Sequence, residues 1–208
     1  MATFRMALAA LLIGAAVAPA VAEPTADLAA LARSSGTPDI PGLKIVWLAP
    51  WGDARNASWR HIIVHQTEGP AGSARYGALE QAKHPTRRGV TIWVETDGTV
   101  YWAVAETAIP THGDGANRND NKYIDNRSTF HQVLKGNSIG VEFAGNYPDV
   151  TQGASAAQIA AWNILVRLLR ARYDIPVDRI YAHNWIDYKD ARYCEGCALA
   201  TMARNPGF

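Results

Sequence analysis

Hydrophobic positions along this chain fall into short runs broken by turns, and one segment stands out with a clear helical period. Ile159, Trp162, Leu165, Val166, Leu169 and Tyr173 recur at three- and four-residue spacing, which places them on one face of a helix. Ser155-Ala-Ala-Gln158 before them has the capping-box form, and Pro176 after them ends the helix. The other runs are shorter and read as strands: Lys44–Leu48, His61–His65, Gly89–Val94, Thr99–Val104, Ser138–Ala144 and Asp178–His183. Asp97-Gly98, between the third and fourth of these, predicts a tight hairpin. Thr25–Arg33, Ser73–Lys83 and Ala198–Arg204 predict short helices. Interleaved strands and helices around one hairpin predict an α/β fold, a single mixed β-sheet flanked by helices. Residues 106–137 are rich in Asn, Asp, Gly and Arg. A polar loop of that length in a compact domain is usually functional or mobile.

The first 22 residues do not belong to that pattern. Arg5 gives a positive start, Met6 to Val17 is almost unbroken Ala, Leu, Ile and Val, and Ala20-Val21-Ala22 has the small-x-small form cut by signal peptidase. Residues 1–22 therefore read as a signal peptide, too short and Ala-rich for a membrane span. Residues 23–42 read as an N-terminal linker with its short helix, and 43–208 as one domain by length. The expected product is exported, periplasmic or secreted. Losing Arg5 takes the formal charge of the 208-residue chain from +1 to neutral. A neutral chain without a basic run has no footprint for nucleic acid and no polybasic membrane patch.

Candidate chemistry gathers at strand ends. His65 closes His61-Ile-Ile-Val-His65, and His183 closes Arg179-Ile-Tyr-Ala-His183. Residues four apart on a strand lie about 13 Å apart, so His61 and His65 cannot share one ion whose bonds to nitrogen are about 2 Å. His65 is the better placed of the two. Cys194 follows His183 by eleven positions. Two imidazoles and one thiolate, with a fourth position left to water, form the ligand set of a catalytic zinc. Asp187 and Asp190 are competing oxygen ligands, and Cys194 has a second option, a disulfide to Cys197. In Ser138-Ile-Gly-Val-Glu142-Phe-Ala144, alternation puts Ile139, Val141 and Phe143 on one face and Gly140, Glu142 and Ala144 on the other. A carboxylate between two tiny side chains on a strand marks either a solvated strand face or a general base beside a metal.

These segments, taken together and in order, resemble the zinc-dependent N-acetylmuramoyl-L-alanine amidases of the type shared with phage lysozymes and animal peptidoglycan recognition proteins. The resemblance spans roughly residues 58–204. It implies that His65, His183 and Cys194 are the metal ligands, Glu142 the catalytic carboxylate and Arg192 the residue stabilising the transition state. It also implies that His112, in Thr111-His112-Gly113, lies in the substrate cleft. Trp93, in the hairpin segment, is a candidate groove residue. Two positions depart from the family pattern: Arg192 stands for Lys or Thr, and Glu195 for the usual Pro. Cleavage of the amide between N-acetylmuramic acid and L-alanine is the implied reaction, with peptidoglycan or muropeptide as partner. A non-catalytic peptidoglycan-binding module on the same scaffold is the alternative.

Overall fold

The computed structural model describes residues 26–52, 58–113, 129–145, 154–187 and 194–208, so the predicted signal peptide lies outside it. Six strands, β1 (Ile45–Trp47), β2 (His61–Gln66), β3 (Ile92–Val94), β4 (Val100–Trp102), β5 (Ser138–Phe143) and β6 (Ile180–Ala182), form one sheet in the order β1-β4-β3-β5-β2-β6. Among these six strands, β3 and β4 pair antiparallel and the other pairings are parallel. The β3–β4 turn is the one read from Asp97-Gly98. Gly98 takes φ +80°, and the Asp97 carboxylate accepts from the Thr99 amide at 2.9 Å. Among the described residues, no helix is long and apolar enough to cross a membrane.

Helices α1 (Ala26–Leu31), α3 (Ala156–Tyr173) and α4 (Cys197–Arg204) cover one face of the sheet. The core there packs Ile62, Val64, Ile92, Val94, Ile139, Val141 and Phe143 against Trp162, Leu165, Leu169 and Leu199. Burying this many apolar strand positions beneath the helices is the main driving force for the fold. Helix α3 starts as its sequence predicts: Ser155 accepts from the Gln158 amide at 3.1 Å, and the Gln158 side chain accepts from the Ser155 amide at 3.1 Å. It ends one residue before Asp174, which takes the left-handed conformation at φ 53°. The predicted apolar face is in place, and it also carries the buried Arg172.

The second face is only partly covered. Helix α2 (Ser73–Lys83) packs Ala74 and Ala78 over Trp93 and Ala144. A separate small cluster of Ile63, Val133, Tyr181 and Ile186 covers the β2–β6 side. A gap between these two clusters, over the carboxyl ends of β2, β5 and β6, becomes the cleft. Several strands are shorter than their sequence runs suggest. Asp178–His183 is the clearest case: the strand is Ile180–Ala182, and His183 opens a 3-10 turn ending at Trp185. The chain bends there because the Ile186 and Asp187 amides both donate to the His183 carbonyl.

Candidate metal centre and cleft

Parallel strands deliver their ligands at one end of a sheet, because all their carboxyl termini point the same way. His65 is the fifth residue of β2 and His183 is the first residue after β6. Pairing of β2 with β6 (Ile62 with Ile180, Val64 with Ala182) brings both histidines to the same edge. Their Nδ1 atoms stand 2.9 Å apart. Glu195, from the turn before α4, places Oε1 at 3.3 Å from His65 Nδ1 and 3.0 Å from His183 Nδ1. All three residues are buried. His61, at the other end of β2, bonds Asn137 and takes no part.

The tautomers of this cluster follow from its outer partners. The Ser138 carbonyl can only accept, so His112 Nε2 at 3.3 Å donates to it. Burial first, then the neighbouring His65 and His183, hold the His112 pKa well below its ordinary value. A neutral His112 with its proton on Nε2 presents an acceptor at Nδ1. His65 Nε2, 3.3 Å away, must then donate to it, which leaves the lone pair of His65 on Nδ1. His183 Nε2 lies 3.3 Å from Asp187 Oδ2, a carboxylate that accepts its proton. That puts the lone pair of His183 on Nδ1 as well. Burial acts to raise the Glu195 pKa; positive charge and N–H donation from His183 and His65 outweigh it and hold it well below the usual carboxylate value, a part that a cation takes over when the imidazoles carry their lone pairs on Nδ1. With these tautomers, two lone pairs and a carboxylate converge at about 3 Å, a donor set that could hold a cation.

The edges of 2.9, 3.0 and 3.3 Å are close to the donor spacing around such an ion. A tetrahedral zinc with bonds of about 2.0–2.1 Å separates its donors by about 3.3 Å. Two imidazoles and one carboxylate, with the fourth position left to water, form a known catalytic zinc set. Asp187, read from sequence as a competing ligand, instead stands behind the His183 ring. Outer carboxylates of this kind orient a ligating imidazole and fix its tautomer.

One sequence-based assignment is corrected. Cys194 is not a donor to this cluster: its sulfur is bonded to that of Cys197 and sits in the α3-side core. A disulfide sulfur has no thiolate charge to offer a metal. The adjacent Glu195 supplies the third group. Sequence reasoning missed it, although a disulfide across Cys-Glu-Gly-Cys would have removed both thiols and left Glu195 as the nearest donor. Arg192 and the rival Asp190 lie outside the described residues.

The cluster forms one wall of a cleft of about 270 Å³. Across the sheet, His65 on β2, Glu142 on β5 and Trp93 on β3 stand in register in one row. All three line the cleft with His112, His183 and Glu195. Glu142 is half-buried, between Gly140 and Ala144 as the alternation predicts. Trp93 donates through Nε1 to the Val90 carbonyl at 3.1 Å. Its ring lies so close under α2 that a side chain at Gly77 would overlap it. The two nitrogens of His112 are engaged by His65 and Ser138, so it serves the ligand shell as well as the cleft. Arg88 and Thr111 add polar groups to the cleft wall.

This is a mixed α/β domain whose open cleft holds a buried, metal-ready donor cluster. A family model for N-acetylmuramoyl-L-alanine amidase (Amidase_2) matches residues 55–197. The chain belongs to that N-acetylmuramoyl-L-alanine amidase family. Among solved structures, the amidase LysC from Clostridium intestinale URNW superposes with TM-score 0.51 at 17% identity, covering 79% of this chain and 95% of that one. An ectodomain complex of the peptidoglycan recognition proteins LCa and LCx, bound to tracheal cytotoxin, gives TM-score 0.51 at 15% identity, covering 78% and 96%. Both have the same fold. No curated protein matches the sequence.

Proposed function

We propose that the protein is an exported zinc-dependent amidase that cleaves the bond between N-acetylmuramic acid and the L-alanine of the peptidoglycan stem peptide. The observation that carries this reading is the Nδ1–Nδ1–Oε1 triangle of His65, His183 and Glu195, with edges of 2.9–3.3 Å, beside a carboxylate in an open cleft. The family model and the fold shared with a protein bound to tracheal cytotoxin support the substrate class. The signal-like segment at 1–22 supports export.

Bound zinc would supply Lewis acidity toward the scissile carbonyl and a lowered pKa for an attacking water. His65 and His183 would hold it through Nδ1 and Glu195 through Oε1. Glu142, next to His65 across the β2–β5 pairing, would take the proton of the attacking water on a carboxylate oxygen and return it to the leaving amide nitrogen. Arg192 would donate to the developing oxyanion. Trp93 and Arg88 would contact the glycan–peptide chain along the cleft.

Zinc content of the purified protein, followed by release of stem peptides from purified sacculi, tests the assignment. Wild type should carry about one zinc and release peptide with a free L-alanine amine. Glu142→Gln should keep its zinc and lose about 100- to 10,000-fold in turnover, the usual worth of a general base. Glu195→Gln should bind zinc far more weakly than wild type, through the two histidines alone. A zinc-loaded wild type that binds sacculi and releases nothing would make the protein a binding module instead.

A further inference from the structure

Glu195 reaches the cluster from an unusual support. It lies inside the Cys194–Cys197 bridge, with only Gly196 beside it. Both cysteines are wholly buried in the core between the sheet and α3–α4. The Cys197 amide donates to the Cys194 carbonyl at 3.2 Å, and the Asn184 amide donates to the Glu195 carbonyl at 3.3 Å. Gly196 takes φ +80°, and a Cβ there would come within 2.0 Å of the Val64 carbonyl oxygen. The turn is therefore pressed against β2 one residue before His65 and tied to the residue after His183. Glu195 points away from the core and into the cluster, with its side chain only 5% exposed.

Glutamate has three side-chain torsions to fix, so a short metal contact from a turn needs a rigid backbone beneath it. We propose that the Cys194–Cys197 bridge is the positioning device for the third donor: it fixes the backbone from which Glu195 meets His65 and His183, and so sets the affinity of the cluster for a divalent cation. This rests on reading the cluster as a zinc site. Cys194 does not replace Glu195 when the bridge opens, because its side chain faces the core on the opposite side of the turn. Opening the bridge removes a constraint and supplies no new ligand.

Zinc affinity measured by chelator competition, well below the melting temperature, tests this in four proteins: wild type, Cys194→Ala/Cys197→Ala, Glu195→Gln and the triple variant. The bridge-less variant should bind zinc about 10- to 100-fold more weakly than wild type, the usual effect of losing support behind a ligand. Breaking the bridge in the Glu195→Gln background should change affinity little, because the two changes act through one donor. A bridge that only stabilised the fold would weaken binding equally in both backgrounds, and that additivity would overturn the proposal. If the double variant fails to fold, wild type treated with a phosphine gives the same comparison. The disulfide gains two electrons and two protons, and the phosphine becomes its oxide with oxygen from water. Equal affinity before and after reduction would overturn the proposal and leave the zinc reading standing. A thiolate-to-cobalt charge-transfer band in reduced, cobalt-loaded protein would overturn it too, by making a cysteine the donor. Failure of oxidised wild type to bind zinc would sink both.

Discussion

His112 occupies its place because residue 140 is a glycine. A Cβ at Gly140 would stand 3.0 Å from His112 Nδ1 and 2.7 Å from Val90, so any larger residue on β5 would push the imidazole off His65. His112→Phe would fill the same space and remove the acceptor for His65 Nε2. Zinc affinity in that variant should fall about 10- to 100-fold, and 15N chemical shifts should show His65 losing its single tautomer. Retention of both wild-type affinity and tautomer would place His112 outside the metal's support. At this scale the sequence is informative where a residue's own neighbours constrain it. His65 and His183 each end an apolar run, and Glu142 breaks a two-residue alternation. Glu195 was not legible, because the choice between the Cys194 sulfur and its neighbour depends on which side of the turn faces the core. His112's part depends on a contact with His65 across 47 positions.

Helix α2 illustrates the same dependence for whole elements. Its range was legible from composition, yet its N-terminus has no cap of its own: Gly72 precedes it with φ +93°. The cap comes from the end of β3. Glu95 accepts from the Gly72 amide at 2.9 Å, the Thr96 amide at 2.9 Å and the Arg75 amide at 3.1 Å. Burial works to raise its pKa, but the three amides and the Thr96 hydroxyl outweigh it and lower the pKa from 4.5. A carboxylate depressed in the folded state stabilises the fold above its unfolded pKa, and that stability fades as pH falls through the folded pKa. Glu95→Gln should cost about 1 kcal/mol at neutral pH, typical of a lost charged cap. Urea midpoints should show wild type losing stability more steeply than Glu95→Gln between about pH 5 and pH 3. Parallel acid profiles would remove Glu95 from the capping role. Strand ends were less legible than helix ends. Gly89–Val94 reads as one run, but strand β3 covers only Ile92–Val94; Gly89, at φ +140° against Gln81, donates its amide to the Thr111 carbonyl instead. Runs of apolar residues mark burial, and pairing partners set where a strand stops.

Across the whole molecule, one buried cation joins segments that are far apart in sequence. Arg172, on the predicted apolar face of α3, donates to Glu106 through Nε at 2.6 Å and Nη2 at 3.0 Å. It also donates to the carbonyls of Ala32, Ser34 and Gly52, and its guanidinium stacks 3.7 Å from the Trp51 ring centre. Tyr173 donates to the same carboxylate, and so does the Gly52 amide at 2.7 Å. Chain entry, the loop after β1, the loop after β4 and the longest helix are thus locked at a single point. Only Arg has the flat five-donor fork that can serve so many acceptors at once. The helical period revealed this face but not the charge on it, since Glu106 is 66 positions away in a polar loop. Arg172→Met would leave the Glu106 carboxylate buried without its cation, a change that typically costs about 3–5 kcal/mol. For a domain of this size that corresponds to a melting temperature about 6–20 °C lower. Arg172→Met/Glu106→Met should regain much of the loss, because an apolar pair of similar volume has no charge to desolvate. The clamp lies on the α3 side of the sheet and the cleft on the other. Chelator competition on folded Arg172→Met should therefore give wild-type zinc affinity while its urea midpoint falls. A parallel loss of zinc affinity would mean that the donor cluster depends on this lock as well as on its own strand-end supports.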